Sequence, residues 1–375
     1  MEALFSAICG RIALERGRMF AFHNAVIDDV YRVPLSKEQH IARLARNEQR
    51  FNGRACVRLG GGGINFALCA ASLGFRGASF VGFMDAEAFA LAEKVKRENG
   101  LHLPLFRTET GPRRNAIIEL DDANLLYHQP DEADPALLRA KLAMLAPKPG
   151  DWLASCSFYE NMTFPLLEAG GKLFIDSGYG YPRRERNMLG SLCARLGAQP
   201  LPELIIAANE TELDNIADEF GASGPGPVQK AHAACRIMSG RSGMRIRLLL
   251  HTESYSTLAD PGSDDLWAVP AFDAEVQRRT NAGDTFAGAF MAAFAATGDA
   301  VQSCFFANAA AGKRISSDEL PTPENTTEFL KKAKLREPKA DVPVLKPGER
   351  FIPQASSALR KASRAAAAPA PGTAR

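Results

Sequence analysis

Apolar strand-like runs alternate with helical runs along nearly the whole chain, and that rhythm decides the fold class. The strand candidates are MFAFHNAVID (19–28), ASFVGF (78–83), NAIIEL (115–120), DWLASCS (151–157), KLFID (172–176), LIIAAN (204–209) and RIRLLLH (245–251). The helical candidates are INFALCAASLG (64–74), AEAFALAEKVKREN (86–99), PALLRAKLAML (135–145), PRRERNMLGSLCARLG (182–197), TELDNIADEF (211–220), TFAGAFMAAFAA (285–296) and AVQSCFFANAAAGKRI (300–315). Such alternation predicts an α/β domain with a mostly parallel sheet and helices on both faces. Several strands end in polar residues, among them Asp28, Asp176, Asn209 and His251. In open α/β sheets the ligand crevice lies at the carboxyl ends of the strands, so residues far apart in sequence can share one site.

Two stretches interrupt the rhythm. Tyr31–Arg58 contains the charged, helix-like SKEQHIARLARNEQR, and residues 112–130 read as two short strands around the turn signal Asp121-Asp122. Segments 30–58 and 112–130 are therefore expected to build a lid on a domain spanning 19–335, with 1–18 as an N-terminal extension. Beyond about Leu335, prolines fall at 338, 343, 347, 353, 369 and 371, and the end, ASSALRKASRAAAAPAPGTAR, is low in complexity. Residues 336–375 are expected to form a disordered, mildly basic tail.

Composition removes several classes of function. Of 375 residues, 46% are hydrophobic, enough for a sizeable core, and the net charge of +2 does not favour a polyanionic partner such as nucleic acid. The seven cysteines are odd in number and form no C-x-x-C pair, and none of the six histidines makes an H-x-x-x-H pair. Neither a disulfide framework nor a zinc site is expected. The apolar run Ala3–Cys9 is too short for a signal peptide, and no stretch nears the roughly 18 apolar residues of a membrane span. A cytoplasmic protein with no membrane partner is the expectation.

Four segments could carry chemistry. In Thr280-Asn281-Ala282-Gly283-Asp284, small residues lead into an acid and a helical run. The unpaired N–H groups of a helix start form an anion site, and a carboxylate there can take a proton from an attacking hydroxyl. Asp284 reads equally as a simple N-cap. Gly60-Gly61-Gly62-Gly63-Ile64-Asn65 opens a small-residue helix. It reads either as a close approach to a ligand or as a flexible surface loop, and it lacks the Lys-Ser/Thr of a P-loop. Asn24-Ala25-Val26-Ile27-Asp28-Asp29 places carboxylates at the end of the first strand run, for sugar hydroxyls or for solvation. Asn209-Glu210-Thr211-Glu212 has the spacing of a capping box.

Taken together and in this order, the four segments resemble the ribokinase-like (PfkB) carbohydrate kinase family. Its N-x-x-x-D corresponds to Asn24 and Asp28, its G-G-x-x-x-N to Gly60, Gly61 and Asn65, its N-x-x-E to Asn209 and Glu212, and its G-A-G-D to Asn281-Ala282-Gly283-Asp284. Val81-Gly82-Phe83-Met84-Asp85 resembles the family's V-G-x-x-G-D, Asp176 its D-x-N, and Ala307–Ala311 its closing helix. The resemblance covers about residues 20–333. It implies a three-layer α/β/α sandwich with a small lid, and transfer of the γ-phosphoryl group of ATP to a sugar or nucleoside hydroxyl. Asp284 is then the general base. The N–H groups of Ala282, Gly283 and Asp284 form the anion hole. Asn24, Asp28, Gly60, Gly61 and Asn65 hold the acceptor. Asn209, Glu212 and Thr252 serve the nucleotide, Mg²⁺ and phosphate, with Glu212 reaching the metal through water. Many relatives dimerise through the lid, so a homodimer is a further implication.

The departures matter as well. The first glycine of G-A-G-D is Asn281, and the family's D-T-x is Arg278-Arg279-Thr280, where two arginines replace a monovalent-cation site. Thr252-Glu253-Ser254-Tyr255 stands where the family has a glycine-containing nucleotide loop, and segment 36–50 differs from the usual lid strand. These changes keep open a catalytically impaired sugar or nucleotide sensor and an ADP-dependent sugar kinase. A dinucleotide oxidoreductase ranks last, since G-x-G-x-x-G is missing. A sugar-phosphate acceptor would need cations near Asp28, for which Arg54, Arg58, Arg113 and Arg114 are candidates.

Overall fold

Alternate residues of the strand Met19–Asn24 enter two different cores: Met19 and Ala21 belong to one, Phe20 and Phe22 to the other. A strand buried on both faces must lie in the middle layer of three. The computed structural model describes residues 1–46, 53–127, 134–178, 188–198, 201–277, 280–317, 319–338, 340, 342–346 and 349. Its strands are β1 (Met19–Asn24), β2 (Val26–Arg32), β3 (Arg54–Gly60), β4 (Ala78–Met84), β5 (Leu105–Glu109), β6 (Arg114–Glu119), β7 (Asn124–Tyr127), β8 (Trp152–Ser155), β9 (Lys172–Asp176), β10 (Leu204–Ala208), β11 (Ile246–His251), β12 (Tyr255–Ala259) and β13 (Val269–Pro270). Its helices are α1 (Glu2–Leu14), α2 (Lys37–Ala45), α3 (Gly62–Ser72), α4 (Ala86–Glu98), α5 (Pro135–Leu145), α6 (Glu160–Glu168), α7 (Met188–Ala198), α8 (Glu210–Phe220), α9 (Pro227–Ser242), α10 (Ala282–Thr297), α11 (Ala300–Ile315) and α12 (Pro323–Lys332).

The main sheet runs β13-β12-β11-β10-β9-β8-β1-β4-β5. From β11 to β5 every pairing is parallel, and only β12 and β13 reverse. Helices α1, α3, α4, α10, α11 and α12 contribute buried residues to one core, and α5 to α9 to the other. The expected α/β/α architecture is therefore present. Because β1, β8, β9, β10 and β11 are parallel, their carboxyl ends share one edge. Asn24, Ser155, Asp176, Asn209 and His251 arrive there together.

A second, four-stranded sheet has the order β3-β2-β6-β7. It is built from the two stretches that interrupt the sequence rhythm together with β2, which takes up the end of the run 19–28. The run 19–28, expected as one strand, divides at Ala25 between the two sheets. The Ala25 N–H donates to the Phe83 carbonyl at 2.9 Å, and Val26 onward pairs with β3 and β6 instead. No turn residue marks this break, so the apolar run conceals it. Gly61 makes the crossing feasible. Its φ is +102°, and a Cβ there would lie 2.1 Å from the Asn24 carbonyl oxygen. Any side chain would force the two sheets apart.

At the N-terminus, Phe5, Ile8 and Ile12 of α1 are fully buried, and the Phe5 ring stacks on Phe306 at 4.5 Å. Residues 1–14 thus pack into the core and do not trail from it. At the other end, Ala268 donates to the Pro343 carbonyl and accepts from Leu345, covering the edge near β13. The tail from 351 onward lies outside the described residues.

Candidate active site

The start of α10 is unusual for a helix. Asn281 is the N-cap and adopts the left-handed conformation at φ 65°, with no side-chain cap on the helix. Asn tolerates this region better than most residues, which explains how it stands where glycine is expected. Asp284 is consequently the third helical residue, and the N-cap reading of it does not hold. The amides of Ala282, Gly283 and Asp284 open the helix in its first turn, where N–H groups have no intrahelical acceptor and the helix dipole is positive. The Asn281 Nδ2 atom is buried and has no hydrogen-bond partner among the described residues.

These residues line a cavity of about 510 Å³ together with His23, Asp28, Gly61, Asn115, Asp176, Asn209, Glu212 and His251. Asp284 approaches the glycine segment closely: a Cβ on Gly62 would lie 3.1 Å from Asp284 Oδ1 and 2.8 Å from the Cys156 carbonyl. Gly62 is thus required for space. On the opposite wall, Asp28 from β2 is buried, and its Oδ1 accepts from Asn115 Nδ2 at 2.9 Å. The parallel register Asp28↔Asn115 sets up that contact. So Asp28 of β2 and Asp284 of α10 face one cavity, more than two hundred residues apart in sequence.

The start of α8 supplies the third wall. Asn209 accepts from the Glu212 N–H at 3.0 Å, and Glu212 Oε2 accepts from the Asn209 N–H at 2.8 Å and from Ser177 Oγ at 3.2 Å. The capping box is real, and it holds the Glu212 carboxylate at the strand edge. Burial raises the Glu212 carboxyl, with the Asn209 and Ser177 hydrogen bonds opposing and the Asp284 charge adding to the rise. Burial likewise pushes Asp176 well above its ordinary range, reinforced by the charges of Glu212 and Asp284. Burial lowers His251 to about 4, so its imidazole is neutral near pH 7. Its ring lies 5.0 Å from that of Phe286.

A second cavity, about 540 Å³, adjoins the first and shares Asn209, His251, Ala282 and Gly283 with it. It is lined further by Thr252, Phe272, Asn308, Gly312, Ile315 and Arg336. The Thr252 hydroxyl itself organises the β11–β12 turn, accepting from the Ser254 and Tyr255 amides and donating to the Tyr255 carbonyl. The helix start of α10 thus sits between two adjoining chambers.

Not every expected residue reaches the cavity wall. Asn24, Gly60 and Asn65 lie behind it. Asn24 and Asn65 are buried, and Asn65 Nδ2 donates to the Gly61 carbonyl at 3.0 Å. Gly60 backs onto Asp28, whose carboxylate fills the space a Cβ would take. Of the four arginines considered, only Arg113 lines the cavity. Arg114 pairs outside with Asp29 and Glu87, Arg58 pairs with Glu119, and Arg54 borders a different cavity. Arg278 and Arg279 lie outside the described residues. His23, Asn115 and Tyr159 were not singled out from sequence for this site. Alternation along NAIIEL, which puts Asn115, Ile117 and Glu119 on one face, was the available signal for Asn115.

The Mg²⁺ implied by the sequence resemblance can be tested against this chemistry. No cluster of three or more ligating side chains exists among the described residues. Yet Asp176, Glu212 and Asp284 repel one another beside the open start of α10, and a cation would relieve that repulsion. Mg²⁺ typically keeps several waters and joins one or two carboxylates to substrate phosphates. The residues present fit that mode, with Glu212 and Asp176 as the carboxylates.

Residues 22–326 match the family described as pfkB family carbohydrate kinase. No curated protein matches the chain. Among solved structures it is similar to the ribokinase of Arabidopsis thaliana complexed with ribose and ATP, at 19% identity, TM-score 0.60, 84% of this chain and 99% of that one. It is similar also to the adenosine kinase of Anopheles gambiae, at 17% identity, TM-score 0.63, 82% and 99%. The phosphofructokinase-2 of Escherichia coli gives 16% identity, TM-score 0.61, 84% and 100%. These identities speak to fold, whereas the family match spans most of the chain. The chain is a member of the pfkB family of carbohydrate kinases, and the expectation of a carbohydrate or nucleoside kinase stands with it.

Proposed function

We propose that this protein transfers the γ-phosphoryl group of ATP to a hydroxyl of a sugar or nucleoside, with Asp284 as the general base. The observation that carries this reading is the shared cavity: Asp284 at the open start of α10 faces Asp28 and Asn115 across it. In this reading the four-stranded sheet is the lid. Its Asp28 and Asn115 bind acceptor hydroxyls, and Gly61 leaves room for them. The acceptor oxygen attacks the γ-phosphorus as its proton passes to the Asp284 carboxylate. The bond from the γ-phosphorus to the bridging oxygen breaks, and ADP leaves.

The amides of Ala282, Gly283 and Asp284 receive the charge on the transferring group, and Asn281 Nδ2 supplies one further donor to it. Such donors act at full strength in a site that excludes water. The adjoining cavity takes the nucleotide, with Thr252 shaping its turn and neutral His251 between the chambers. Mg²⁺, when bound with the nucleotide through Asp176 and Glu212, would neutralise phosphate charge.

The test is a phosphoryl-transfer screen of purified protein over sugars, sugar phosphates and nucleosides, with MgATP and MgADP in parallel. Transfer from MgATP to at least one acceptor is expected. Preference for MgADP would establish the ADP-dependent alternative. Tight acceptor binding without transfer from either donor would establish a sensor.

A further inference from the structure

One buried carboxylate joins the small sheet to the phosphoryl-binding turn. Glu119, the last residue of β6, is 7% exposed. Its Oε2 accepts from Arg32 Nε at 2.8 Å. Its Oε1 accepts from Arg58 Nη1 at 3.0 Å and from Thr280 Oγ1 at 2.8 Å. Arg58 Nη1 also lies 3.5 Å from Thr280 Oγ1. Arg32 and Arg58 come from β2 and β3, so three strands of the small sheet converge on this group. Thr280 belongs to the other side of the crevice and directly precedes Asn281, the left-handed N-cap of α10.

The face of β6 that ends in Glu119 also carries Asn115, which touches Asp28, and Ile117, which lines the cavity. One strand thus reaches the acceptor side with its first residues and the α10 turn with its last. Burial raises the Glu119 carboxyl, but the Arg32 and Thr280 hydrogen bonds and the Arg58 charge outweigh it, so the group stays ionised. An ionised acceptor makes the stronger, charge-assisted bond to the Thr280 hydroxyl. Left-handed backbone at a non-glycine residue persists only where its surroundings fix it. The Glu119–Thr280 bond, at 2.8 Å, is a short side-chain contact on the residue immediately before Asn281.

We propose that Glu119 is a positioning residue: through Thr280 it fixes the Asn281 turn, and so ties seating of the small sheet over the acceptor to the geometry of the 282–284 amides. This rests on the kinase reading above, but the latch itself can be examined without turnover. The experiment compares Thr280→Val, Thr280→Ser, Glu119→Gln and the double variant Glu119→Gln/Thr280→Val. Steady-state kinetics with the screened acceptor and MgATP is one readout, and hydrogen exchange at the Thr285 amide, which donates to the Asn281 carbonyl at 3.1 Å, is the other.

Thr280→Val is expected to lower kcat by about 10- to 100-fold, the scale of a misplaced reacting group, with KM for MgATP changed by less than about threefold. Thr280→Ser, which keeps the hydroxyl, is expected to return kcat to within about threefold of the starting protein. The double variant is expected to be no worse than Thr280→Val, because the two residues act as one unit. The Thr285 amide is expected to exchange faster in Thr280→Val and not in Thr280→Ser. If the starting protein transfers no phosphoryl group, the exchange result alone decides the latch, and the kinase reading fails separately. Additive losses in the double variant, or unchanged exchange in Thr280→Val, would overturn the proposal.

Discussion

Helices α8 and α10 begin with the same signature, an Asn cap followed three residues later by an acid, yet the structure uses the two starts oppositely. At α8 the Asn209 backbone is extended, its side chain caps Glu212, and Glu212 reaches back to close the box. At α10 the Asn281 backbone is left-handed, the side chain caps nothing, and Asp284 projects into the cavity. One extra methylene and the backbone conformation of one residue separate the two outcomes. A closed start contributes to stability. An open start forgoes that stabilisation and leaves its amides and its acid facing the cavity. A pattern match therefore says where a helix begins, while the φ of its cap says whether the start serves the fold or the chemistry.

Substitutions can break this contrast, beginning with the largest expected effect. Asp284→Asn should lower kcat by about 10² to 10⁴, the span of a general base, with no fall in melting temperature, because the Asp284 charge opposes those of Asp176 and Glu212. Near-normal turnover would remove Asp284 from the role. Gly62→Ala should reduce kcat/KM by about 10- to 100-fold, since its methyl would press on Asp284 Oδ1 and the Cys156 carbonyl. Steady-state kinetics on folded protein checks both.

Next comes Asp176→Asn. Burial and the charges of Glu212 and Asp284 raise the Asp176 carboxyl, so the folded chain binds its proton more tightly than the unfolded chain does. Ionising it costs stability, and that cost is absent below the ordinary carboxylate range near pH 4 and grows as pH rises toward the raised native value. The Asn variant should therefore melt higher at pH 8, by about 3 °C, and show little difference near pH 4. A melting temperature lowered at pH 8 would show that the cluster is not self-repelling. The smallest effect is Asn209→Ala, which should cost about 1 kcal/mol of stability, read by denaturant unfolding. A loss at α8 with none for Asp284→Asn at α10 is the pattern that the comparison requires.

Much of this was legible from the residues. The bounds of α11 and β9 coincide with the sequence reading, because their apolar periodicity is strong and their ends are polar. The grouping of Asp176, Asn209 and His251 follows from parallel strands alone. The break at Ala25 was not legible: both halves of 19–28 are apolar and extended, and only pairing partners distinguish them. Nor could the chain declare that α1 is core, since Phe5 stacks on Phe306, some three hundred positions later. Glu119 escaped notice for the same reason. Its partners Arg32, Arg58 and Thr280 meet only when the two sheets face each other.

The central claim is that the open start of α10 holds the transferring phosphoryl group. A crystal structure with ADP, Mg²⁺, aluminium fluoride and an acceptor found in the screen tests it most directly. The fluoride ligands are expected within hydrogen-bonding distance of the amides of Ala282, Gly283 and Asp284, with an acceptor hydroxyl against the Asp284 carboxylate. Fluoride seated elsewhere, with those amides turned to solvent, would contradict it.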